Sequence, residues 1–252
     1  MIESNDLIVF ALTIIGSFIG VNFGGSMLLV MPALLGLGFN PLTILCSTRP
    51  AIVLQSCLGL VMFREFRDIN LSRHLVLLLS ASFGALFGIY FLSKLNPNQA
   101  LVLMLVLVII LSILASLKYV LIDFFRKDSG YFYPESNLLT YFICGFFPAI
   151  IGGLIGSGAG LIVVLFALIL LRKNTQSASY LEKSVSLGHS LTVLVWSFFY
   201  GQFDLKIGLV VLLGTLIGAY WGAKVTLKLN VYWMYCIVII LCVLIIIKKI
   251  FW

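Results

Sequence analysis

Charged side chains are scarce in this chain of 252 residues. Only 10% of its residues are Asp, Glu, Lys or Arg, whereas 62% are hydrophobic, and the mean hydropathy is +1.18. A soluble domain carries roughly 25% charged residues, and a soluble fold of this length cannot bury so much apolar side chain. The composition therefore excludes a soluble enzyme, a disordered chain and a nucleic-acid-binding module, and it predicts that lipid surrounds most of the protein.

Residues that support catalysis or hold metals are also few. There are two histidines and five cysteines, and the cysteines lie inside apolar segments without a CxxC pair. His189 and Ser190 have no nearby acid to complete a serine-hydrolase triad, and no metal-ligand spacing occurs. Neither a Walker A nor a dinucleotide-binding motif is found. We therefore expect no enzymatic activity, no cofactor, no metal and no nucleic-acid partner.

Eight apolar segments are what the chain does contain. Each is about 20 residues or longer, and none alternates with the two-residue period of a membrane β-strand. The sequence therefore predicts an all-α polytopic membrane protein, and the net charge of +7 predicts basic loops on the cytoplasmic side of the cell inner membrane. The segments cover residues 7–38, 42–63, 71–93, 98–121, 138–171, 178–200, 205–228 and 231–248.

An internal repeat is visible when the sequence is compared with itself. At an offset of 134 positions without a gap, small residues and cations coincide over about 110 positions. We interpret residues 1–121 and 138–252 as two tandem repeats joined by a polar connecting loop, 122–137. Two-repeat construction is common in secondary transporters, which bind substrate between the repeats. The coincident pairs include Asn22 with Gly156, Gly24 with Gly158, Ser26 with Gly160, Arg49 with Lys183, Gly84 with Gly218, and Gly88 with Gly222.

The first apolar segment of each repeat is too long for one span and is interrupted by small residues. The interruptions are residues 22–26 (NFGGS) and 152–160 (GGLIGSGAG). Glycine costs about 1 kcal/mol per residue in a helix interior, so these clusters favour unwinding. Unwound backbone at membrane depth must line protein or a watery cavity. Close packing of helices through small residues is the alternative interpretation.

Loop charge bears on whether each broken segment crosses the membrane or returns as a hairpin. Arg49 and Lys183 are left out of this count of Lys and Arg residues. If all eight segments span the membrane, the remaining cations divide 9:5 between its two sides. If both broken segments are hairpins, they divide 10:4. The positive-inside rule favours the hairpins. Three crossings per repeat then make the repeats inverted. Lys248 and Lys249 count against this topology, because it places them outside.

These motifs, in their order and duplication, resemble the TauE/SafE family of sulfite exporter-like membrane proteins. The family's Gly-x-Gly-Gly-Gly motif is similar to residues 22–30 (NFGGSMLLV) and 156–164 (GSGAGLIVV). Its Thr-Ser pair resembles Ser47-Thr48, its Gly-Asn-Val-Asp loop resembles residues 201–204 and, more loosely, 67–70, and its Gly-Ala-x-x-Gly step resembles 84–88 and 218–222. The first copy departs from the family pattern at Asn22 and Ser26, and Arg49 is not expected from that pattern.

The resemblance implies a secondary transporter for a small anion, of the sulfite, sulfonate or related organosulfur type. A passive anion channel of the same architecture and a non-transporting scaffold subunit are the alternatives. Membrane lipid and the anionic substrate are the expected partners. Coupling to protons and assembly as a homodimer stay open.

Arg49 is the most informative candidate for an anion site. It lies about 10 Å into an apolar segment at 1.5 Å per residue, where an arginine is costly and typically marks a pathway or pairs with another group. Pro50 should free the carbonyl of Cys46 and kink the helix. The guanidinium fork fits sulfite, sulfonate or carboxylate oxygens. The alternatives are snorkelling to an interface and a structural pair.

The helix breaks add a second anion-binding device. Helices that restart near Ser26 and Gly160 would point unpaired N–H groups and partial positive charge at an anion. Lys183 is either a site residue or a solvated partner of Glu182, and His189 either titrates or packs as a neutral ring. Hydroxyls such as Ser186 either bind the anion or join helices. The predicted substrate-binding residues are Asn22, Gly24, Gly25, Ser26, Ser47, Thr48, Arg49, Gly156, Ser157, Gly158, Gly160, Lys183, Ser186 and His189.

Overall fold

The computed structural model describes residues 4–23, 26–67, 70–126, 137–156, 159–200 and 202–224. Within these ranges the chain forms helices and no β-strand, as the sequence predicts. A short 3-10 helix, Arg64–Phe66, lies between the fourth and fifth α-helices. The α-helices are α1 (Ser4–Phe23), α2 (Ser26–Gly36), α3 (Pro41–Ser47), α4 (Arg49–Met62), α5 (Leu71–Lys94), α6 (Pro97–Arg126), α7 (Leu138–Ile155), α8 (Ala159–Ile169), α9 (Thr175–Tyr200) and α10 (Leu205–Lys224).

Several of these helices are long and apolar enough to cross a membrane. In the described ranges they are Pro41–Met62, Leu71–Lys94, Pro97–Leu114, Leu138–Ile155 and Leu205–Gly222, and the shorter Asp6–Phe18 and Ala159–Ile169 are also apolar. Their outer faces expose large apolar side chains, including Phe87 at 63% and Trp221 at 55%. Such faces require lipid, so the chain is a multi-pass helical membrane protein. The predicted last segment, 231–248, lies outside the described residues.

Both glycine-rich interruptions separate helices. α1 ends at Phe23 and α2 begins at Ser26, while α7 ends at Ile155 and α8 begins at Ala159. Gly156 follows α7 with a φ of 81°, a left-handed conformation that favours glycine. The predicted breaks, with helices restarting near Ser26 and Gly160, are confirmed, but residues 22–23 and 152–155 of the predicted interruptions belong to α1 and α7 and are helical.

Two helix pairs approach each other through glycine. α5 packs along α7, and α10 packs along α1. A methyl group on Gly84 or Gly88 would overlap the carbonyl oxygens of Phe146 and Ile150 in α7. Likewise, a methyl group on Gly218 or Gly222 would overlap carbonyl oxygens of α1, those of Ile14 and Phe18. Both Gly-Ala-x-x-Gly steps are therefore close backbone contacts of the small-residue type found between membrane helices.

α9 joins the two halves of the described structure. It packs against α4 and α5, which precede residue 122, and against α7 and α8, which follow residue 137. Its buried residues include Glu182, Lys183, Ser186 and His189. The centre of the helix bundle is therefore polar along one helix, although the residues around it are apolar.

Alanine at the glycine contacts should destabilise the fold. Gly84→Ala and Gly218→Ala each place a methyl group against backbone oxygen, and overpacking of this kind costs about 1–3 kcal/mol. Leu86→Ala, in the same helix as Gly84 but 43% exposed, is the matched control and should change stability by less than about 0.5 kcal/mol. Thermal unfolding of the detergent-purified variants measures the loss of stability. Glycine variants as stable as the control would contradict the close contact.

Candidate functional site

Arg49 is among the largest side chains that are fully buried in the part of the chain that the structure describes. It begins α4 and is 0% exposed. Its Nε donates to the carbonyl of Leu45 at 3.0 Å, and its Nη2 donates to the carbonyl of Gly152 in α7 at 3.2 Å. The side chain therefore does not snorkel to an interface, and its protein partners are backbone carbonyls rather than an acid.

One donor group of Arg49 is left over. Its buried Nη1 has no hydrogen-bond partner among the residues that the structure describes. A buried donor without a partner costs about 1–3 kcal/mol, and more when it is charged. This nitrogen is therefore the natural contact for an anionic oxygen or an ordered water.

The local sequence explains how Arg49 reaches this position. Pro50 has no N–H group, so it cannot continue the hydrogen-bond ladder, and the helix is interrupted at Thr48 between α3 and α4. The hydroxyl of Thr48 donates to the carbonyl of Leu45 at 3.2 Å, which is the carbonyl that Arg49 also contacts. The predicted interruption is present, but Thr48 keeps helical backbone angles, and the carbonyl that the side chains of Thr48 and Arg49 contact is that of Leu45 and not that of Cys46.

The side chain of Arg49 packs against the end of α7. A methyl group on Gly156 would lie 2.6 Å from Nη2 of Arg49 and 2.7 Å from side-chain carbons of Leu45 and Met31. A cation at the C-terminal end of a helix is favourable because the last carbonyls carry partial negative charge. The break after α7 and the burial of Arg49 therefore stabilise each other.

An ion pair lies at the start of α8. Glu182 and Lys183 are 4% and 3% exposed, and Oε2 of Glu182 is 2.7 Å from Nζ of Lys183. Oε1 of the same carboxylate accepts a hydrogen bond from Ser186 at 2.8 Å. A methyl group on Gly160, in the first turn of α8, would lie 2.5 Å from Oε1. The interpretation of this pair as solvated or interfacial is wrong, because both side chains are buried.

His189 lies one turn after Ser186 along α9 and contacts the end of α7. Its Nδ1 is 3.0 Å from the carbonyl of Val185, and the hydroxyl of Ser190 is 3.3 Å from its Nε2. A methyl group on Gly152 would lie 2.9 Å from the imidazole ring. Arg49 and His189 thus both lie close to Gly152, Arg49 at its carbonyl oxygen and His189 at its Cα.

The structure therefore joins some predicted site residues and separates others. Arg49 and His189 lie beside the end of α7, which Gly156 follows. Lys183 and Ser186 bind the carboxylate of Glu182, which lies beside Gly160 in the first turn of α8. Ser47 has a different role, because its hydroxyl accepts the backbone N–H of Asp204 at 2.8 Å and holds the loop before α10. The described part of the structure does not include Gly24, Gly25, Ser157 and Gly158, or the side chains of Asn22 and Ser26.

Two participants were not predicted as site residues. Gly152 carries the carbonyl that binds Arg49, and Glu182 entered the prediction only as the neighbour of Lys183. Glu182, Ser186 and His189 are spaced by four and three positions, a spacing that places them on one face of a helix. This spacing in the sequence could have predicted a polar face on α9.

The fold and these side chains define a class: a multi-pass helical membrane protein with buried Arg, Lys and Glu side chains near a break between two helices. Residues 8–249 match the family model described as "Sulfite exporter TauE/SafE", so the chain belongs to that family of membrane transporters. The family implies anion transport of the sulfite-exporter type. Neither the curated proteins nor the solved structures include a match to this chain.

The contact between Gly156 and Arg49 can be tested against a second left-handed glycine. Gly156→Ala adds both backbone strain and overlap with Arg49, whereas Gly38→Ala, at a φ of 87° with nothing within 4 Å, adds strain alone. Left-handed strain costs about 1–2 kcal/mol, and overlap adds about 1–3 kcal/mol. We expect a lower thermal unfolding temperature for Gly156→Ala than for Gly38→Ala. Equal losses would show that Gly156 does not press on Arg49.

Proposed function

We propose that this protein is a secondary transporter that moves a small anion, namely sulfite, a sulfonate or a related organosulfur anion, across the cell inner membrane by alternating access. The observation that carries this proposal is the buried Nη1 of Arg49, which has no partner among the described residues. A guanidinium fork suits a planar pair of anionic oxygens. Membership of the TauE/SafE family supports an anion as the substrate.

The start of α8 supplies the second half of the proposed site. An eleven-residue helix presents partial positive charge and unpaired N–H groups at its first turn. Lys183 and Ser186 add a full charge and a hydroxyl beside that turn. In the first repeat, Asn22, Gly24, Gly25 and Ser26 are proposed to do the equivalent at the start of α2.

We also propose that the two halves are repeats. The matched contacts α5 with α7 and α10 with α1 support this, since each uses the same Gly-Ala-x-x-Gly step. The spacing between corresponding helix boundaries changes along the chain: α1 and α7 end 132 positions apart, whereas α5 and α10 begin 134 apart. Helix ends vary by one or two residues, so this difference leaves the register of 134 positions, and the pairing of Asn22 with Gly156, as part of the proposal.

Helix length supports the proposal that each broken segment returns as a hairpin. At 1.5 Å per residue, α2 and α8 are each about 16 Å long, roughly half of the ~30 Å hydrocarbon core. α1 and α7 are longer, with 20 and 18 residues. α1 packs against α2, and α7 against α8. Short helices that pack back on long ones are the arrangement expected of a re-entrant segment.

The two alternative functions, a passive anion channel and a scaffold subunit, predict different experimental results. A passive anion channel would carry flux that follows the electrochemical gradient alone and does not saturate. A scaffold subunit would tolerate loss of the Arg49 charge without functional consequence. Saturable flux that depends on Arg49 supports the transporter over both.

The hairpin topology predicts that loops 64–73 and 224–230 lie on the same, cytoplasmic side. Eight full spans would place them on opposite sides. We expect equal labelling from the cytoplasm of single cysteines introduced at Ser72 and Asn230, in a chain whose five native cysteines are replaced. Opposite accessibility of these two positions to a membrane-impermeant thiol reagent would exclude the hairpins.

Arg49 variants test the proposed anion clamp. Arg49→Lys keeps the charge but loses the fork, so the affinity for sulfite should fall by roughly 1–3 kcal/mol, which is about 5- to 150-fold. Arg49→Gln should abolish measurable binding because it removes the charge. The control is Arg64→Gln, an exposed arginine in the 3-10 helix, which should bind as the wild type does.

Binding must be measured directly on folded protein, because Arg49 also stabilises the fold. Its bond to Gly152 spans 103 positions of the chain, and loss of a charged hydrogen bond costs about 1.5–3 kcal/mol. Both Arg49 variants should therefore melt earlier without ligand. Titration calorimetry with sulfite at a temperature where each variant is folded separates the two effects. Full sulfite affinity in Arg49→Gln would refute the clamp.

A further inference from the structure

Most of the buried polar and charged side chains in the described part of the chain lie on two helices, α4 and α9. Other helices of the bundle are far less polar inside, and α8 contains only apolar residues and glycine. Polar side chains are costly at membrane depth, where they face the bundle interior or a watery cavity and typically mark the route of a substrate or ion. The distribution of buried polarity therefore points to the region between α4 and α9.

α4 and α9 pack against each other in opposite directions. Gly59, in the last turn of α4, lies against Lys183, because a methyl group on Gly59 would be 2.7 Å from Cγ of that side chain. Arg49, the first residue of α4, contacts Gly152, against which the ring of His189 in α9 packs. The start of α4 therefore lies near the later of these two α9 residues, and the end of α4 lies near the earlier one. Arg49 and Gly59 are about 15 Å apart along α4 at 1.5 Å per residue.

The facing surfaces of the two helices are polar. In α4, Gln55 and Ser56 lie one turn before Gly59, on the same face of the helix, and are 4% and 2% exposed. In α9, Ser190 lies two turns after Lys183 on the same face and is 0% exposed. These surfaces form the α4–α9 seam, which consists of Arg49, Gln55, Ser56, Gly59, Lys183 and Ser190.

Other faces of both helices are apolar and exposed. Leu58 of α4 is 44% exposed, and Leu191 of α9 is 42% exposed. Lipid covers such faces, so the polarity of the seam is directed into the protein and is not spread around each helix. Arg49 and Lys183, which correspond to each other in the proposed repeats, lie at the two ends of the seam. Transporters built from two repeats bind substrate between the repeats.

We propose that the α4–α9 seam is the path along which the anion passes between Lys183 and Arg49, and that Ser56 and Ser190 contact the anion on this path. The inference rests on the proposed function, because it assigns a route to the same anion. The serine hydroxyls can donate to anionic oxygens. Lys183 is paired with Glu182, so Arg49 supplies the net positive charge, which favours an anion over a cation.

The path is closed in the described structure. Every residue of the seam is buried, so an anion can pass only when α4 and α9 move apart. A motion of one repeat against the other around a fixed site is the motion by which two-repeat transporters alternate access. Adhesion between helices through hydroxyl groups is the structural alternative, and it predicts that the seam never admits water.

Cysteine accessibility separates the two. Ser56→Cys and Ser190→Cys are compared with Leu58→Cys and Leu191→Cys on the lipid-facing sides of the same helices, each in a chain whose five native cysteines are replaced. The reagents are anionic 2-sulfonatoethyl methanethiosulfonate and cationic 2-(trimethylammonium)ethyl methanethiosulfonate. A thiol reacts as its thiolate, which forms in water and not in lipid. We expect the serine variants to react about tenfold or more faster than the leucine variants, and to favour the anionic reagent.

Protection by a bound anion distinguishes a path from a crevice that holds water alone. Methanesulfonate is the probe because, unlike sulfite, it does not consume the reagents. Titration calorimetry on the purified chain gives its Kd. At ten times that Kd, methanesulfonate should slow the labelling of Ser56→Cys and Ser190→Cys by about tenfold, since it occupies most of the protein.

The results bear separately on the path and on the proposed function. Labelling of a folded serine variant that methanesulfonate slows, with both leucine variants unreactive, supports the path. Unreactive serine variants, equal rates at all four positions, or labelling that methanesulfonate does not slow would each overturn the path while methanesulfonate binding to the wild type leaves the anion site intact. Absence of methanesulfonate and sulfite binding in the wild type overturns the proposed function itself. Thermal unfolding identifies the folded variants, and either serine variant is sufficient for the test.

Discussion

A charge inside a membrane protein must find a partner, because neither lipid nor apolar side chains can solvate it. The structure meets this demand with the ends of two helices. Arg49 lies at the end of α7, where carbonyls carry partial negative charge, and Glu182 lies at the start of α8, where N–H groups carry partial positive charge. The break between α7 and α8 is therefore the feature on which the buried charges depend.

The glycines between residues 152 and 160 make that break possible in two separate ways. Gly156 takes a left-handed conformation that ends α7, while Gly152 and Gly160 leave room for the ring of His189 and the carboxylate of Glu182. Any side chain at the last two positions would push these groups away from the helix ends. In contrast, Gly84 and Gly218 serve helix packing alone, because only backbone and apolar atoms approach them. The same residue type thus builds the site in one place and the scaffold in another.

The sequence predicted the features that arise locally. Glycine clusters favour unwinding, and Pro50 lacks the N–H group that a helix interior requires, so both breaks and the interruption beside Arg49 were predictable, although Gly152 and Gly153 stay inside α7. The partner of Arg49 was not, because Gly152 is 103 positions away. The burial of Glu182 and Lys183 was also missed. Hydropathy starts the segment at residue 178, but α9 begins at Thr175 with polar residues, which places the pair two turns inside the helix.

The charges at the break do not balance, and this imbalance is itself an argument about function. A structural ion network is stable when every donor and charge is satisfied. Here Lys183 and Glu182 satisfy each other, whereas Arg49 contributes a full positive charge met only by backbone carbonyls and retains a buried Nη1 without a partner among the described residues. Leaving that donor unmet costs stability that an apolar residue would not cost. In the proposed anion transporter, a ligand that completes the hydrogen bonds of Arg49 during the transport cycle would offset this cost.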